Sequence, residues 1–509
     1  MTSSYDTFTS PLASRNASEQ MLRLWSPRHK FNTWRRIWLA VAEAQCEMGL
    51  PVSRAQVEEL RAVVERPGGI TDAEMKSAEK YERELRHDVM AHVHALGDSC
   101  PGAKGIIHLG MTSQDVVCNA DYCVLHQAME LIQTKLVRIV TTLGRQAMTH
   151  ARTPTLGFTH YQPAQPVTVG RRFAQWASEL AIVQGRVGMT CHNISIRGLR
   201  GATGTQASFM ALNGGNGERV DELETRVLRS IGGMIAGTGV VMDELRTPYA
   251  VELSTQTYPR VIDTFVLADL ASAAAVLHKI ATDVRLLSNR KEIDEPFETK
   301  QIGSSAMPYK RNPMRCERVC GLARFVMNLV GNGYDTAATQ WLERTLDDSS
   351  NRRLSLAEAF LALDGAADLM QNVSGGLVVH GAMVRKNLMA ELPFMATENI
   401  LMECVKLGGD RQHYHEVIRQ HAQEAGYKVK QEGLENDLLE RLKGDKNFWS
   451  KGRGGALNEE LNWDGLMDPM KYIGRSVEQT ERFHKDVVKR LEEQYAEGLA
   501  GLQENAPKV

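Results

Sequence analysis

FNTWRRIWLAVAEAQCEM, residues Phe31 to Met48, shows helical periodicity in its clearest form. Apolar side chains recur there every three or four residues, as in a helix that packs one face against a core. The stripe consists of Trp34, Ile37, Trp38, Val41 and Ala42, and Gln45 continues it. Gly49-Leu50-Pro51 follows and supplies a helix stop. The stretch therefore predicts a long amphipathic helix.

The flanking and central segments extend this helical pattern. Ser53 with Gln56, and Thr71 with Glu74, form capping-box pairs that predict the starts of the next two helices. Longer helical patterns cover about 113 to 150, 167 to 192, 258 to 290 and 314 to 332. Alternating strand patterns are scarce, so the sequence predicts an all-α bundle. Helices this long, with apolar residues on more than one side, are typical of helices buried against partner subunits.

Composition excludes several classes of partner. A chain of 509 residues normally divides into two to four structural units. The formal net charge of −2, with 24% charged residues, gives no electrostatic basis for binding nucleic acid or an acidic membrane. We find no hydrophobic leader in residues 1–16 and no uninterrupted apolar run long enough to span a bilayer.

Cysteine usage indicates the compartment. The eight cysteines form no Cys-x-x-Cys pair, and their density is low for a disulfide scaffold. Such usage suits a reducing environment. We therefore expect a cytoplasmic protein.

The segment Gly303-Ser-Ser-Ala-Met-Pro-Tyr-Lys-Arg-Asn-Pro313 concentrates reactive groups in a loop. Its glycine and two prolines disfavour helix, whereas a helical pattern begins at Met314. A hydroxyl pair, an ammonium and an amide in a mobile loop could grip a carboxylate beside a catalytic serine. An ordinary basic surface loop has the same composition.

As a whole, this segment resembles the signature loop of the fumarase/aspartase superfamily. Within that superfamily, its residue order resembles the adenylosuccinate lyase family. Further segments agree, in order along the chain. They are Arg86-His-Asp-Val-Met-Ala-His-Val-His94, Gly105-Ile-Ile-His-Leu-Gly110, Thr159-His-Tyr-Gln-Pro-Ala-Gln165, Glu343-Arg-Thr-Leu-Asp-Asp-Ser349 and Glu391-Leu-Pro-Phe-Met-Ala-Thr-Glu-Asn399. The resemblance covers nearly the whole chain.

The resemblance implies three helical domains and a homotetramer whose active sites combine residues from several subunits. The boundaries that we predict divide the chain into residues 1–112, 113–379 and 380–509, with the signature loop in the central unit. It also implies β-elimination of fumarate, without a cofactor, from two succinylated nucleotides of purine biosynthesis. These are adenylosuccinate and succinylaminoimidazole carboxamide ribotide.

Such an elimination needs a base for a weakly acidic Cβ proton, an acid for the leaving nitrogen and donors for the developing carboxylate charge. His160 is the candidate acid because it lies in a Thr-His-Tyr-Gln-Pro turn and an imidazole exchanges protons near neutral pH. A structural histidine is the alternative. The resemblance assigns Ser304 as the base, which spacing alone cannot distinguish from Ser305. It assigns Lys310 and Asn312 to the substrate carboxylate.

Thirteen positions correspond to the family's substrate contacts, and all but Asn16 match the family's residue. The resemblance assigns Arg15, Arg344, Ser349 and Arg353 to phosphate, and Thr112, Ser113 and Gln256 to the succinyl group. It assigns Arg86-His87-Asp88 to the nucleotide side, with His87 near the reacting centre, where it helps the acid. The full set is Arg15, Asn16, Arg86, Asp88, Thr112, Ser113, Thr159, Gln256, Asn312, Arg318, Arg344, Ser349 and Arg353. Helix capping explains Thr112 and Ser113 equally well.

Two other patterns suggest sites that we do not favour. His87, His92 and His94 lack metal-site spacing, since His92 would point away from the helix face shared by the other two, so no metal is expected. The glycine-rich segment 197–217 lacks Gly-Lys-Ser/Thr, and we interpret it as a mobile connection and not as a phosphate loop.

The sequence departs from the family at Asn16, where the family usually has tyrosine. Asparagine keeps hydrogen bonding but cannot stack on a base, so nucleotide binding is expected to be weaker. The nearest alternatives are argininosuccinate lyase and fumarase, whose substrates carry no phosphate, and a retired enzyme that serves as a structural protein. Retention of Ser304, His160, Lys310 and Asn312 argues against the last.

Overall fold

The protein is helical, and the all-α prediction is confirmed. The computed structural model describes residues 6–235, 248–445 and 461–502. The described helices are α1 Glu19–Leu24, α2 Pro27–Glu47, α3 Arg54–Val64, α4 Asp72–Leu85, α5 Asp88–Ser99, α6 Ser113–Thr149, α7 Val169–Asn193, α8 Ala207–Leu212, α9 Gly217–Ile235, α10 Val261–Asn289, α11 Met314–Ala338, α12 Asp347–Gly375, α13 Gly381–Met395, α14 Thr397–Lys406, α15 Arg411–Tyr427, α16 Leu438–Gly444, α17 Trp463–Leu466, α18 Ser476–Phe483, α19 Lys489–Gln494 and α20 Ala496–Gly501. The described strands are β1 Pro154–Thr159, β2 Gln162–Thr168, β3 Ile293–Asp294 and β4 Val378–Val379.

The N-terminal helices begin and end where their capping residues predict. Both predicted capping boxes form, at the start of α3 and at the start of α4. The end of α2 at Glu47 is followed by Gly49 with φ of 71°, a left-handed conformation that favours glycine. Local sequence therefore determines these helix boundaries.

Five long helices form the central bundle, and their contacts give their directions. Trp176 of α7 donates to Asp283 near the C-terminal end of α10 at 2.7 Å, so α7 and α10 run antiparallel. Gly333 of α11 lies against Thr264 of α10, so those two are also antiparallel. Arg352 near the start of α12 pairs with Asp121 near the start of α6 at 3.0 Å. Arg352 also pairs with Asp263 near the start of α10, so α6, α10 and α12 run in one direction.

This arrangement gives the bundle two chemically distinct ends. We call the end where α6, α10 and α12 begin the helix-start end. We call the opposite end, which carries the β1–β2 hairpin and the segment 295–313 before α11, the loop end. At 1.5 Å per residue the 29 residues of α10 span roughly 43 Å, so the two ends lie about 40 Å apart.

In the part of the chain that the structure describes, buried apolar residues form two clusters. The larger extends from Met21 to Val384 and includes the faces of all five bundle helices. The smaller extends from Ala396 to Leu466 and holds together α14 to α16. The domain boundaries at 112 and 379 stay predictions.

Three details differ from the sequence-based expectations. The predicted turn at 159–163 is the tip of an antiparallel hairpin that extends over residues 154–168 and was not predicted. The glycine-rich segment is anchored, because the Arg197 side chain is fully buried and donates to the carbonyls of Gly201 at 2.7 Å and Thr255 at 3.0 Å. Helix α10 is also long and apolar enough to cross a membrane, although the sequence reading found no such stretch. A buried bundle helix meets the same test, and half of this stretch is buried.

Candidate active site

A first group of predicted residues meets at the helix-start end. His87 caps the N-terminus of α5, where its Nδ1 accepts from the Met90 amide at 3.3 Å. The Ser113 hydroxyl lies 3.4 Å from His87 Nε2, which links the two predicted motifs. Arg353 of α12 pairs with Asp88 at 3.1 Å, and Arg86 precedes this group in the left-handed conformation (φ 52°). Residues from three parts of the sequence therefore converge here.

A buried carboxylate holds the start of α6 in place. Asp115 is fully buried, and its Oδ2 accepts from the Thr112 amide at 2.7 Å. Its Oδ1 pairs with Arg197 and accepts from the amides of Arg200 at 2.8 Å and Gly201 at 3.1 Å. Helix capping and substrate binding are therefore compatible roles for this segment, because it caps α6 and leaves part of Ser113 exposed beside His87.

The start of α12 contributes a second set of donors at the same end. Arg344 donates to Gln256 Oε1 at 3.1 Å and lies 3.5 Å from Asp348, which also pairs with Arg260 at 2.6 Å. Ser349 lies in the first turn of α12, one turn before the exposed Arg353. This end therefore combines forked guanidinium donors with a helix N-terminus, a combination suited to phosphate.

The signature loop at the loop end folds back on itself. A Cβ at Gly303 would lie 2.2 Å from the Lys310 carbonyl, so only glycine permits this close approach. Asn312 donates to the Gly303 carbonyl at 2.8 Å, and Ser304 Oγ accepts from the Met307 amide at 3.1 Å. Lys310 is exposed. The loop thus holds Ser304 and presents Lys310 to solvent.

The hairpin at the loop end carries Thr159 and His160. Thr159 pairs with Gln162, and the two residues between them, His160 and Tyr161, both have positive φ (53° and 57°). That is the pattern of a type I′ turn, which suits the twist of the adjoining strands. His160 is exposed at the tip, and its placement away from a helix face is as predicted.

Arg15 and Asn16 lie beside the middle of α12, and Arg318 lies in the second turn of α11, near the loop end. Asn16 packs its backbone against Gly365 in the middle of α12, where a Cβ would be 2.8 Å from the Asn16 carbonyl. Burial lowers the pKa of the Arg318 guanidinium, and the charges of Arg15 and Arg315 lower it further. The positive charges of Arg15 and Arg318 therefore repel each other, and this repulsion favours binding of an anion beside them.

The histidines of the α5 region have structural surroundings. His92 is buried and stacks on Phe31 at 3.6 Å, and burial lowers its pKa to about 4. His94 stacks on Tyr81 at 5.2 Å. His87 caps the helix and does not lie within it, which corrects the sequence-based picture of all three on one helix. Among the residues that the structure describes, no three His, Cys, Asp or Glu side chains are grouped as metal ligands.

Sequence reasoning missed two carboxylates that support the site. Asp115 follows Thr112 and Ser113 closely in the sequence, but its buried partner Arg197 lies 82 residues away. Glu295 accepts from the amides of Arg315 at 3.0 Å and Cys316 at 2.9 Å, and so caps α11 from the far side of the signature loop. Glu295 caps α11 but is separated from it in the sequence by the whole signature loop, so no local sequence pattern predicts this cap.

Comparison with known proteins identifies the family. Residues 15–328 match a family model described as lyase, and residues 393–483 match one described as adenylosuccinate lyase C-terminus. Adenylosuccinate lyase from Saccharomyces cerevisiae is 46% identical over 490 residues, which are 96% of each chain. The chain belongs to the adenylosuccinate lyase family. The Schistosoma mansoni adenylosuccinate lyase is 39% identical over 97% of this chain and 98% of its own.

Solved structures show the same fold at lower identity. The 3-carboxy-cis,cis-muconate lactonizing enzyme from Pseudomonas putida superposes with a TM-score of 0.76 at 23% identity, over 94% of this chain and 99% of its own. Fumarate lyase from Mesorhizobium sp. BNC1 gives a TM-score of 0.74 at 20% identity, over 93% and 99%. Proteins with other names therefore share the fold of this member of the adenylosuccinate lyase family.

Asn16 offers a direct test of nucleotide affinity within the adenylosuccinate lyase family. Its amide donates to the Pro11 carbonyl at 2.8 Å and closes the short π-helical turn Leu12–Asn16. Asn16→Tyr supplies the missing ring, so we expect KM for adenylosuccinate to fall about 2–10-fold while kcat stays within about twofold. Asn16→Ala removes the amide without adding a ring and is the control. An unchanged KM in Asn16→Tyr contradicts the stacking interpretation.

Proposed function

We propose that this protein cleaves adenylosuccinate to AMP and fumarate, and succinylaminoimidazole carboxamide ribotide to its free carboxamide and fumarate. The observation that carries the proposal is 46% identity, over 96% of the chain, to a protein named adenylosuccinate lyase. The forked arginines at the helix-start end support a phosphorylated substrate, because argininosuccinate and fumarate carry no phosphate.

In the proposed reaction Ser304 removes a Cβ proton from the succinyl group and leaves a carbanion. Lys310 and Asn312 stabilise the charge that moves onto the neighbouring carboxylate. The C–N bond then breaks, and His160 donates its proton to the leaving nitrogen. His87 stands near this centre and assists the acid. Every step uses side chains of the protein, so no cofactor is required.

We further infer that each active site is shared between subunits of a homotetramer. Ser304 and His160 lie at the loop end, whereas His87, Ser113 and Arg353 lie at the helix-start end about 40 Å away. A nucleotide with a succinyl group is far shorter than this separation. The two sets can therefore surround one substrate only when the loop end of one chain meets the helix-start end of another.

The exposed apolar side chains support such an assembly. Phe265 of α10 is 53% exposed, Ile182 of α7 68% and Leu354 of α12 62%. Large apolar side chains on the outer faces of a long bundle are typical of helices that pack against other subunits. The subunit number of four rests on the family resemblance alone.

Mixing two inactive variants tests the sharing of sites. Ser304→Ala removes the proposed base at the loop end, and His87→Gln removes a group at the helix-start end. Co-assembly of the two chains is expected to restore up to about one quarter of wild-type activity, because one site in four then receives both intact ends. The measurement is turnover by mixed oligomers carrying two different affinity tags. Absence of recovery in confirmed mixed oligomers contradicts shared sites.

The reaction itself is tested by incubating the purified protein with adenylosuccinate and following fumarate and AMP by proton NMR. We expect both products in equal amounts. Folded tetramer that releases neither product overturns the proposal and directs attention to the unphosphorylated substrates of related lyases.

We place the protein in the cytosol. All eight cysteines lie in the described residues and are unpaired, and burial raises the pKa of the Cys123 and Cys404 thiols to about 12. Buried protonated thiols suit a reducing compartment. Fractionation of the source cells, with this protein followed by antibody, tests the placement.

A further inference from the structure

The hairpin that carries His160 rests on two arginines. Arg172, in the first turn of α7, donates to the Leu156 carbonyl of β1 at 2.6 Å. The guanidinium groups of Arg172 and Arg290 lie 6.0 and 4.7 Å from the centre of the Phe158 ring. Phe158 is two residues before His160, so these contacts act directly on the direction of the hairpin tip.

One buried carboxylate compensates both arginine charges. Glu292 is 1% exposed, and its Oε1 accepts from Arg290 Nε at 3.0 Å and from Asn387 Nδ2 at 2.8 Å. Burial lowers the pKa of Arg172, and Glu292 is the strongest of the groups that raise it again. Glu292 Oε2 and Arg172 Nη1 are both buried without a hydrogen-bond partner in the described residues. The carboxylate is therefore held by Arg290 directly and acts on Arg172 through its field.

Glu292 also lies at the start of the segment that leads into the signature loop. The Glu292 carbonyl accepts from the His380 amide at 2.9 Å, and the next two residues form strand β3 against β4. Asp294 then accepts from Ser288 at 2.8 Å and pairs with His380 at 2.9 Å. Glu295, one residue later, caps α11 beyond the loop. Residues 292–295 thus anchor the segment from which the loop leaves the bundle.

We propose that Glu292 is a positioning residue that keeps the His160 hairpin and the base of the Ser304 loop in one fixed arrangement. It touches neither substrate nor reacting atoms. It acts by neutralising the two arginines beneath the hairpin while its own backbone leads into the loop. The inference rests on the proposed roles of His160 and Ser304.

Glu292→Gln tests this role because it keeps the size of the side chain and removes its charge. We expect kcat to fall about 10–100-fold, as for a small displacement of reacting groups, with KM within about twofold. Glu292→Asp retains the charge and should recover most of kcat. A purely structural role would lower thermal stability while leaving kcat of the folded enzyme unchanged.

Glu74→Gln is the matched control. Glu74 is also a buried carboxylate that serves two arginines, pairing with Arg35 at 3.1 Å and with Arg66, but it lies in the N-terminal helices. We expect it to destabilise the protein and to leave kcat unchanged. Comparison of Glu74→Gln with Glu292→Gln distinguishes the general effect of losing a buried ion pair from the specific effect of displacing the hairpin and the loop.

Hydrogen–deuterium exchange supplies a readout that does not depend on the catalytic roles. Glu292→Gln should speed exchange in residues 154–168 and 293–313 together, whereas Glu74→Gln should not. Unchanged exchange in either segment, or unchanged kcat, overturns the inference. Full activity of His160→Gln would instead overturn the proposed role of His160 as the acid, and exchange would then decide the inference alone.

Discussion

Replacing Ser304 by alanine is expected to lower kcat for adenylosuccinate cleavage by about 10²–10⁴-fold, the usual contribution of a general base. KM should change little, because the carboxylate contacts proposed for Lys310 and Asn312 would remain. Ser304 Oγ accepts from the Met307 amide at 3.1 Å, so the hydroxyl is held within the loop. Steady-state assays of fumarate release measure both constants.

Ser305→Ala is the control for this experiment. Ser305 adjoins Ser304 in the same loop and is exposed, whereas Ser304 is half-buried. We expect Ser305→Ala to retain activity within an order of magnitude. If Ser305→Ala abolishes turnover and Ser304→Ala does not, the base has been assigned to the wrong hydroxyl.

Replacing Asp115 by asparagine is expected to cost about 3–5 kcal/mol of unfolding free energy, because it leaves the buried Arg197 without its counter-charge. The change also removes the carboxylate that receives the Thr112, Arg200 and Gly201 amides. Denaturant unfolding followed by circular dichroism measures the loss.

Asp335→Asn makes the same chemical change at an exposed position of α11. Surface substitutions of this kind usually alter stability by about 0.5 kcal/mol or less. A stability of Asp115→Asn equal to that of Asp335→Asn would contradict the anchoring role of the buried ion pair.

The helices were predictable because their signals are local. The apolar stripe from Trp34 to Ala42 and the capping pair Thr71 and Glu74 determine structure within a few residues of themselves. Central helices predicted at about 113 to 150 and 258 to 290 are observed as Ser113–Thr149 and Val261–Asn289. Residues of the site were named from motif resemblance, and the contact between Ser113 and His87 agrees with that grouping.

Tertiary contacts account for what the sequence did not reveal. Segment 154–168 contains three prolines and a glycine, which weaken the strand pattern, yet its type I′ turn forms without the usual Asn-Gly. Arg172 of α7 and Arg290, which directly follows α10, support this hairpin although they are over a hundred residues apart in the sequence. In the sequence, Glu292 is one of several charged residues near the end of a helix, and its burial is evident only from the fold.

The length of α10 has a consequence for how turnover responds to dilution. Because the helix separates the proposed base from Arg344 and Arg353, two of the proposed phosphate contacts, by about 40 Å, an isolated subunit would hold only fragments of different sites in the shared-site assembly that we propose. Specific activity then follows mass action: it is constant while the oligomer is intact and falls steeply once the protein concentration drops below the dissociation constant of the assembly. In the proposed assembly, substrate that bridges two subunits would lower that threshold concentration and so would stabilise the oligomer that converts it.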